Sequence, residues 1–246
     1  MGAVQIHELE EVDLAGAVVI DGFPSVGLVS SIVANYLVEV LALEEIGLVD
    51  SPHFPTVALV KGGTPLHPVR IYAGADQDPP VAIFLSEFQP ASAMIRDIGE
   101  AVLGWAQERG CSLLVAPEGL IVETPEDAVR VYGVGSTPKA DQLLREHGVD
   151  IFEEGVITGV AGILLNEGRK RGFDVVSVLA EAHPDFPDAR AAARVIETVD
   201  RVALGLGLDT QPLYDEAGRI EEQLKDINRR ALEARGEESR PTSMYG

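Results

Sequence analysis

The sequence predicts an α/β protein with a mostly parallel sheet flanked by helices. Short apolar runs of strand length alternate along the chain with segments of helical periodicity, which is typical of a parallel sheet covered on both faces. The chain has 246 residues, of which 46% are hydrophobic. It is therefore long and apolar enough to bury one large core, and global disorder is excluded.

We predict eight strands, each short and rich in branched apolar residues. They span residues 17–21, 45–50, 56–60, 69–74, 80–86, 112–117, 128–135 and 174–181. Six helices are predicted from apolar residues that recur every three or four positions, and glycines such as Gly110, Gly148 and Gly172 follow several of their ends. These helices span residues 26–43, 92–109, 138–147, 160–171, 188–206 and 212–234.

The last predicted helix has a narrower apolar stripe than the others. Its apolar residues are spaced alternately by four and three, as in a coiled-coil heptad, and are Leu213, Ala217, Ile220, Leu224, Ile227 and Ala231. This stripe either packs on the chain's own sheet, which we favour, or forms an intermolecular coiled coil. We predict one domain over residues 1–235 and a flexible tail over residues 236–246.

The composition excludes several classes of partner. The chain has 19 Lys and Arg residues against 40 Asp and Glu residues, which gives a formal net charge of −21. Such a charge disfavours nucleic acid and anionic membrane surfaces. Polar residues interrupt the apolar stretch 26–43, which indicates a buried helix rather than a membrane span. The acidic N-terminus does not resemble a signal peptide, and Cys111 is the sole cysteine, so we expect a cytoplasmic protein.

The acidic excess leads to a prediction about salt. It resembles the solvated surfaces of proteins from salt-loving archaea, which suggests a haloarchaeal source. We expect molar KCl to raise the melting temperature above that in dilute buffer, because counterions screen the repulsion among carboxylates. Thermal melting followed by far-UV circular dichroism measures this, and an unchanged melting temperature would contradict the hypothesis.

The segment "DGFPSVG" (21–27) joins the first predicted strand to the first helix, where Rossmann-like folds bind phosphate. Its glycine spacing departs from the dinucleotide fingerprint, Pro24 lacks an N–H group, and no basic residue is near in sequence. We favour a structural turn in which Gly22 adopts an unusual dihedral angle and Gly27 permits close helix packing. Ser25 lacks the flanking glycines of a hydrolase nucleophile, so we interpret it as a helix-capping residue.

No catalytic or metal-binding arrangement is evident. The five histidines lack metal-binding spacing and there is no P-loop, so we expect no metal, no cofactor and no catalytic residue. The acidic residues of "EAHPDFPDA" and "APEGLIVETPED" are interpreted as a solvated face or helix-start charges. Residues 50–74 are rich in Pro, His and aromatic residues. They form either an exposed protein interface or two strands joined by a turn at "KGGTP". The candidate interface residues are Pro52, His53, Phe54 and Pro55.

Two longer segments resemble a known family. "DGFPSVGLVSSIVANYLVEVLALEEIGLVDSPHFP" and "GVAGILLNEGRKRGFDVVSVLAEAHPDFPDARAAARVIETV" are similar to the proteasome assembly chaperone 2 family, archaeal branch, over roughly residues 15 to 230. The second segment carries a glycine turn at Gly159 and Gly162. Its "FPDARAAA" helix start departs slightly from the family pattern, because Pro187 precedes Asp188. The resemblance implies an αβα sandwich like that of nucleoside phosphorylases.

The resemblance also implies a function. Members of the family are ATP-independent chaperones that bind proteasome core-particle α subunits, and archaeal members are homo-oligomers. Some end in a hydrophobic-Tyr-any motif, which Met244, Tyr245 and Gly246 match here. These three residues are the candidate partner-binding site. The alternative is a nucleotide- or nucleoside-binding enzyme, ligase-like or phosphorylase-like, with a pocket at the glycine turns 22–27 and 159–162.

Overall fold

The computed structural model describes residues 4–121 and 129–219. Eleven strands lie in these ranges: Gln5–Glu8 (β1), Val18–Gly22 (β2), Glu44–Asp50 (β3), Leu59–Lys61 (β4), Thr64–Leu66 (β5), Val69–Gly74 (β6), Val81–Ser86 (β7), Leu113–Ile121 (β8), Val131–Gly135 (β9), Asp150–Ile151 (β10) and Val175–Ala182 (β11). Nine of them form one sheet in the order β1-β3-β6-β7-β2-β8-β11-β9-β10, and β4 and β5 form a separate two-stranded sheet.

Helices cover both faces of the large sheet, and the predicted α/β class is confirmed. They are Val29–Val40 (α1), Ile95–Glu108 (α2), Pro138–Glu146 (α3), Gly159–Arg171 (α4) and Ala189–Val199 (α5). One face packs against α1, α3 and α5, and the other packs against α2 and α4. A further helix begins at residue 211 and continues to residue 219, the last one described. Within the described ranges, no helix is long and apolar enough to cross a membrane.

The centre of the sheet is parallel and is flanked by antiparallel pairs on both sides, while the edge strand β10 pairs in parallel with β9. β7, β2, β8 and β11 pair in parallel, and every residue of β2, β7 and β11 is buried. These are the continuous apolar runs from which parallel pairing was predicted. β3, β6 and β7 pair antiparallel, as do β9 and β11. Only residues 75–80 join β6 to β7, which is too short for the crossover that a parallel pair needs.

The N-terminal strand β1 was not predicted, because it is short and mostly exposed. It pairs antiparallel with β3 at the edge of the sheet. The carboxylate of Glu8 holds it to the body, since Glu8 Oε1 accepts a hydrogen bond from Trp105 Nε1 at 2.7 Å and Glu8 also pairs with Arg109. The acidic N-terminal segment therefore forms an edge strand, and the Glu8 side chain fixes this strand to α2.

Several predicted boundaries differ from the observed ones. The helix predicted from residue 26 becomes α-helical only at Val29, because Gly27 and Leu28 have positive φ angles of 60° and 51°. The helix predicted over residues 188–206 ends as α5 at Val199 and continues as a π-helical turn, Asp200–Leu204. The predicted tail (236–246), and the part of the C-terminal helix beyond residue 219, lie outside the described residues.

Candidate functional site

The carboxyl ends of β7, β2, β8 and β11 meet at one end of the sheet, which we call the carboxyl end. The segment after β2 leads to α1 on one face, whereas the segment after β7 leads to α2 on the other. In open α/β sheets, ligands bind in the crevice where adjacent strands connect to opposite faces. The turn at residues 21–27 lies at this point, where a protein of this fold would bind a ligand.

The protein's own groups satisfy this turn. Asp21 Oδ1 accepts a hydrogen bond from the Phe23 N–H group at 3.1 Å, and the Ser30 hydroxyl donates to the Phe23 carbonyl. Ser25 directly precedes the 3₁₀ turn Val26–Leu28, and its Oγ accepts a hydrogen bond from the Ser30 N–H group at 3.1 Å. The Phe23 ring is buried in the apolar cluster beneath α2 and α4. The first side chain of the turn thus belongs to the core and is not open to a ligand.

The unusual dihedral angle predicted for Gly22 is found at Gly27 instead, and the close packing predicted for Gly27 is found at both glycines. Gly22 has an ordinary strand conformation, but a Cβ there would lie 2.5 Å from Ala34 Cβ and 2.6 Å from the Phe84 carbonyl oxygen. Gly27 is the residue with the unusual dihedral, a φ of 60°. Pro24 is only partly buried. The close approach of α1 and β7 to β2 accounts for Gly22. The left-handed conformation accounts for Gly27, where a Cβ would also lie 2.9 Å from the His183 carbonyl oxygen.

The second glycine turn begins α4. Gly159 has a φ of 74°, and a Cβ on Gly162 would lie 2.6 Å from the Ile157 carbonyl oxygen. An open depression beside Gly162 is lined by Phe152, Arg169 and residues near the end of β9, and by no residue of the turn 21–27. The two glycine turns therefore do not line this depression together.

Three acidic side chains from separate strands share one face of the sheet near its carboxyl end. The register pairs Ile20 with Val115, so the next residue of β2, Asp21, is level with Ala116, two residues before Glu118 (β8). Glu118 pairs with Leu179, and Leu120 pairs with Glu181 (β11). Asp21 is 2% exposed and Glu181 is 9% exposed. The prediction of a solvated face for these acidic segments is wrong for Glu118, which is partly buried, and for Glu181.

Burial changes the protonation of two of these carboxyl groups. Loss of hydration raises the pKa of Asp21 to about 7, although the hydrogen bond from the Phe23 N–H group opposes the shift. Burial also raises the pKa of Glu118 well above its usual range, and the nearby charge of Asp21 raises it further. The pair holds a proton at a pH where surface carboxyl groups have lost theirs. Sequence analysis did not identify Asp21, although a carboxylate at the end of the apolar run "AVVID" indicated a buried acid.

Asp188 joins the turn to the start of α5. Its Oδ1 accepts a hydrogen bond from the Ala191 N–H group at 2.9 Å and its Oδ2 from the His183 N–H group at 3.0 Å. Its own N–H group donates to the Gly27 carbonyl at 2.8 Å. Asp188 is thus the helix-start charge that was one of the two interpretations of "EAHPDFPDA". Within the described ranges, no group of His, Cys, Asp and Glu side chains is placed to hold a metal ion.

The predicted interface segment divides between core and surface. Phe54 is 8% exposed and contacts Phe88 edge to face, with 5.1 Å between ring centroids. Pro52, His53 and Pro55 are exposed. Phe54 therefore anchors the segment to the body, and its three neighbours are the ones that a partner can touch.

A hairpin follows this segment, as predicted by one of the two interpretations of residues 50–74. β4 and β5 pair antiparallel through Leu59–Leu66, Val60–Pro65 and Lys61–Thr64. The turn residues Gly62 and Gly63 have φ angles of 58° and 82°, the positive values that a two-residue hairpin turn requires. The hairpin joins β3 to β6, so it projects from the carboxyl end of the sheet, where Val69 pairs with Ser86. The candidate residues Met244, Tyr245 and Gly246 lie outside the described residues.

Comparison with known proteins identifies relatives of the whole chain. PbaA of Pyrococcus furiosus, described as an archaeal homolog of proteasome-assembly chaperone, is 31% identical and superposes with a TM-score of 0.81, covering 94% of this chain and 99% of its own. PbaB of the same organism, described as an archaeal proteasome activator, is 25% identical with a TM-score of 0.82, covering 93% of this chain and 100% of its own.

A protein of Methanocaldococcus jannaschii is 26% identical over 243 residues, which is 99% of this chain and 98% of that protein. The sequence model of the PAC2 family matches residues 19–228. This match includes both glycine turns, the buried carboxylates at the carboxyl end and the projecting hairpin. The chain therefore belongs to the PAC2 family.

Proposed function

We propose that this protein is an ATP-independent proteasome assembly chaperone or proteasome-docking factor that binds core-particle α subunits, partly through its C-terminal residues. The observation that carries the proposal is the similarity, over more than nine-tenths of the chain, to a homolog of proteasome-assembly chaperone and to a proteasome activator. These relatives support a proteasome-related role. That the partners are α subunits, and that the C-terminal residues bind them, are the more specific parts of the proposal.

The chemistry of the last three residues supports a docking role. A terminal carboxylate pairs with a lysine in a partner's pocket, the Tyr245 ring buries apolar area while its hydroxyl is hydrogen bonded, and Met244 adapts to an irregular apolar rim. The ten or so residues from Gly236 to Gly246 reach roughly 33–36 Å when extended. A three-residue anchor is weak alone, and several tails on one oligomer would raise the avidity.

We expect removal of Met244, Tyr245 and Gly246 to weaken binding to proteasome α subunits at least about tenfold, since the anchor and its carboxylate are lost together. The measurement is a pull-down in high KCl of isolated α subunits and of the mature core particle. Two matched point variants sharpen it, because Tyr245→Ala removes the ring of the motif while Ser243→Ala changes a residue just before it. We expect Tyr245→Ala to lose binding and Ser243→Ala to bind as well as the intact chain.

The same experiment can refute the proposal. Equal binding by the intact and shortened chains would remove the tail from the mechanism, and no binding by either folded form would remove the chaperone function. The enzyme alternative has its own test, which is a rise in melting temperature with ATP, nucleosides or phosphate at high concentration. The protein's own backbone packs against Gly22 and Gly162, and this packing accounts for those glycines without a ligand.

A further inference from the structure

The hairpin β4–β5 is separate from the large sheet. Its two three-residue strands pair only with each other in the part of the chain that the structure describes. A two-stranded hairpin alone is marginally stable in water, and its outer edges present unpaired N–H and C=O groups. Such an element is stabilised when another surface covers it.

The outward side of the hairpin is apolar. Val60 of β4 is 70% exposed, and its cross-strand partner is the exposed Pro65. Val57, in the segment just before β4, is 55% exposed. The other pair, Leu59 and Leu66, is partly buried. The hairpin therefore turns one apolar face towards the body and presents a second one to solvent.

The charge of this region differs from that of the rest of the chain. About one residue in six is acidic overall, yet none is acidic between Asp50 and Asp76. Lys61 is exposed beside the hairpin turn and has no ion-pair partner among residues 4–121 and 129–219. In a protein with a formal charge of −21, this is a surface that another copy of the chain does not repel.

A complementary surface lies at the opposite edge of the sheet. The loop after the edge strand β10 carries Glu153 and Glu154, both exposed, and Val156, which is 82% exposed. This loop combines two carboxylates with an exposed apolar side chain, whereas the hairpin and the segment before it combine the Lys61 ammonium group with the exposed Val60 and Val57. The two surfaces are opposite in charge and alike in exposing apolar area.

We propose that the β4–β5 hairpin of one copy docks on residues 153–156 of a second copy. Lys61 then pairs with Glu153 or Glu154, and Val60, with Val57 just before the hairpin, covers Val156. Because the two surfaces lie towards opposite edges of one sheet, the contact is heterologous, and a pair of copies keeps one free hairpin and one free loop. Repetition of such a contact closes into a ring when the rotation allows it. This inference does not depend on a proteasome-related role.

The test is the mass of the full-length chain in solution, measured by sedimentation velocity and native mass spectrometry at fixed KCl. The wild-type protein is expected to be oligomeric. Val60→Asp and Lys61→Glu, both at exposed positions, are expected to weaken assembly at least about tenfold without loss of secondary structure. Val40→Asp is the matched control, because Val40 is also exposed, at 46%, but lies at the end of α1.

A charge exchange identifies the acceptor surface. Lys61→Glu combined with Glu153→Lys and Glu154→Lys in one chain is expected to restore assembly, since the same ion pairs form with reversed sign. Three results would overturn the proposal: a wild-type chain that is monomeric, an oligomer that the hairpin variants leave unchanged, or a charge exchange that does not restore assembly. A monomeric wild-type chain would leave the hairpin to a partner of another kind.

Discussion

Asp21→Asn is expected to stabilise the protein above pH 7 by up to about 4 kcal/mol and to have almost no effect near pH 4. The folded-state pKa of Asp21 is raised by burial, from 3.8 to about 7. A carboxyl group with a raised pKa favours the folded state while it is protonated. Its contribution is complete below about pH 4 and is lost as the pH rises through 7, where a charge must be held in the core. Asparagine carries no charge at any pH.

The substitution keeps the local geometry of the turn. The asparagine side chain would retain an oxygen at the position that accepts the hydrogen bond from the Phe23 N–H group. The free energy of unfolding of both proteins is measured by urea denaturation between pH 4 and pH 8.5. Asp185→Asn is the matched control, because Asp185 is an exposed aspartate in the loop between β11 and α5. If both variants have the same pH profile as each other, Asp21 does not hold a proton in the folded protein.

Gly119→Ala is expected to destabilise the protein by about 1–3 kcal/mol, because the added methyl group has no space. A Cβ on Gly119 would lie 2.2 Å from the backbone carbonyl oxygen of Val26, in the 3₁₀ turn that follows β2. A backbone atom cannot move aside as the end of a flexible side chain can. Glycine inside a strand normally lowers the stability by about 0.5–1 kcal/mol relative to alanine. A loss of stability in Gly119→Ala therefore indicates close approach of the Val26 carbonyl, whereas a gain indicates that only the flexibility of glycine was removed.

Gly104→Ala is the matched control for this prediction. Gly104 lies within α2, and the nearest atom to its added Cβ would be Arg171 Nη1 at 4.0 Å. Alanine there should stabilise the protein by roughly 0.5–1 kcal/mol through its higher helix propensity. The two substitutions are therefore expected to shift the urea midpoint in opposite directions. A Gly119→Ala protein as stable as the wild type would mean that the turn does not pack against β8 as the structure places it.

Both predictions concern the carboxyl end of the sheet, and the structure shows why it is tightly built. The turn at 21–27 is fixed from three sides, by the carbonyl of Val26 against β8, by Asp188 from α5 and by Ser30 from α1. A nucleotide-binding turn leaves its N–H groups free for phosphate. In this turn the Phe23 N–H group already donates to Asp21.

Local features of the fold could be predicted because they depend on short segments. Alternating apolar runs predicted the strands of the core, and glycines predicted helix ends, since Gly110, Gly148 and Gly172 all have the positive φ angles of residues that follow a helix. The "KGGTP" segment likewise predicted the turn of the β4–β5 hairpin. Each of these features depends on a few neighbouring residues and on nothing distant.

The features that make up the candidate site depend on residues far apart in sequence. Asp21, Glu118 and Glu181 come together only because β2, β8 and β11 pair in one register, and a shift of one residue would turn a side chain to the other face. The short edge strands β1 and β10 have too few buried residues to show a pattern. The sequence by itself therefore determined local propensity, whereas strand order, register and the burial of these carboxylates were decided by contacts that form only in the folded molecule.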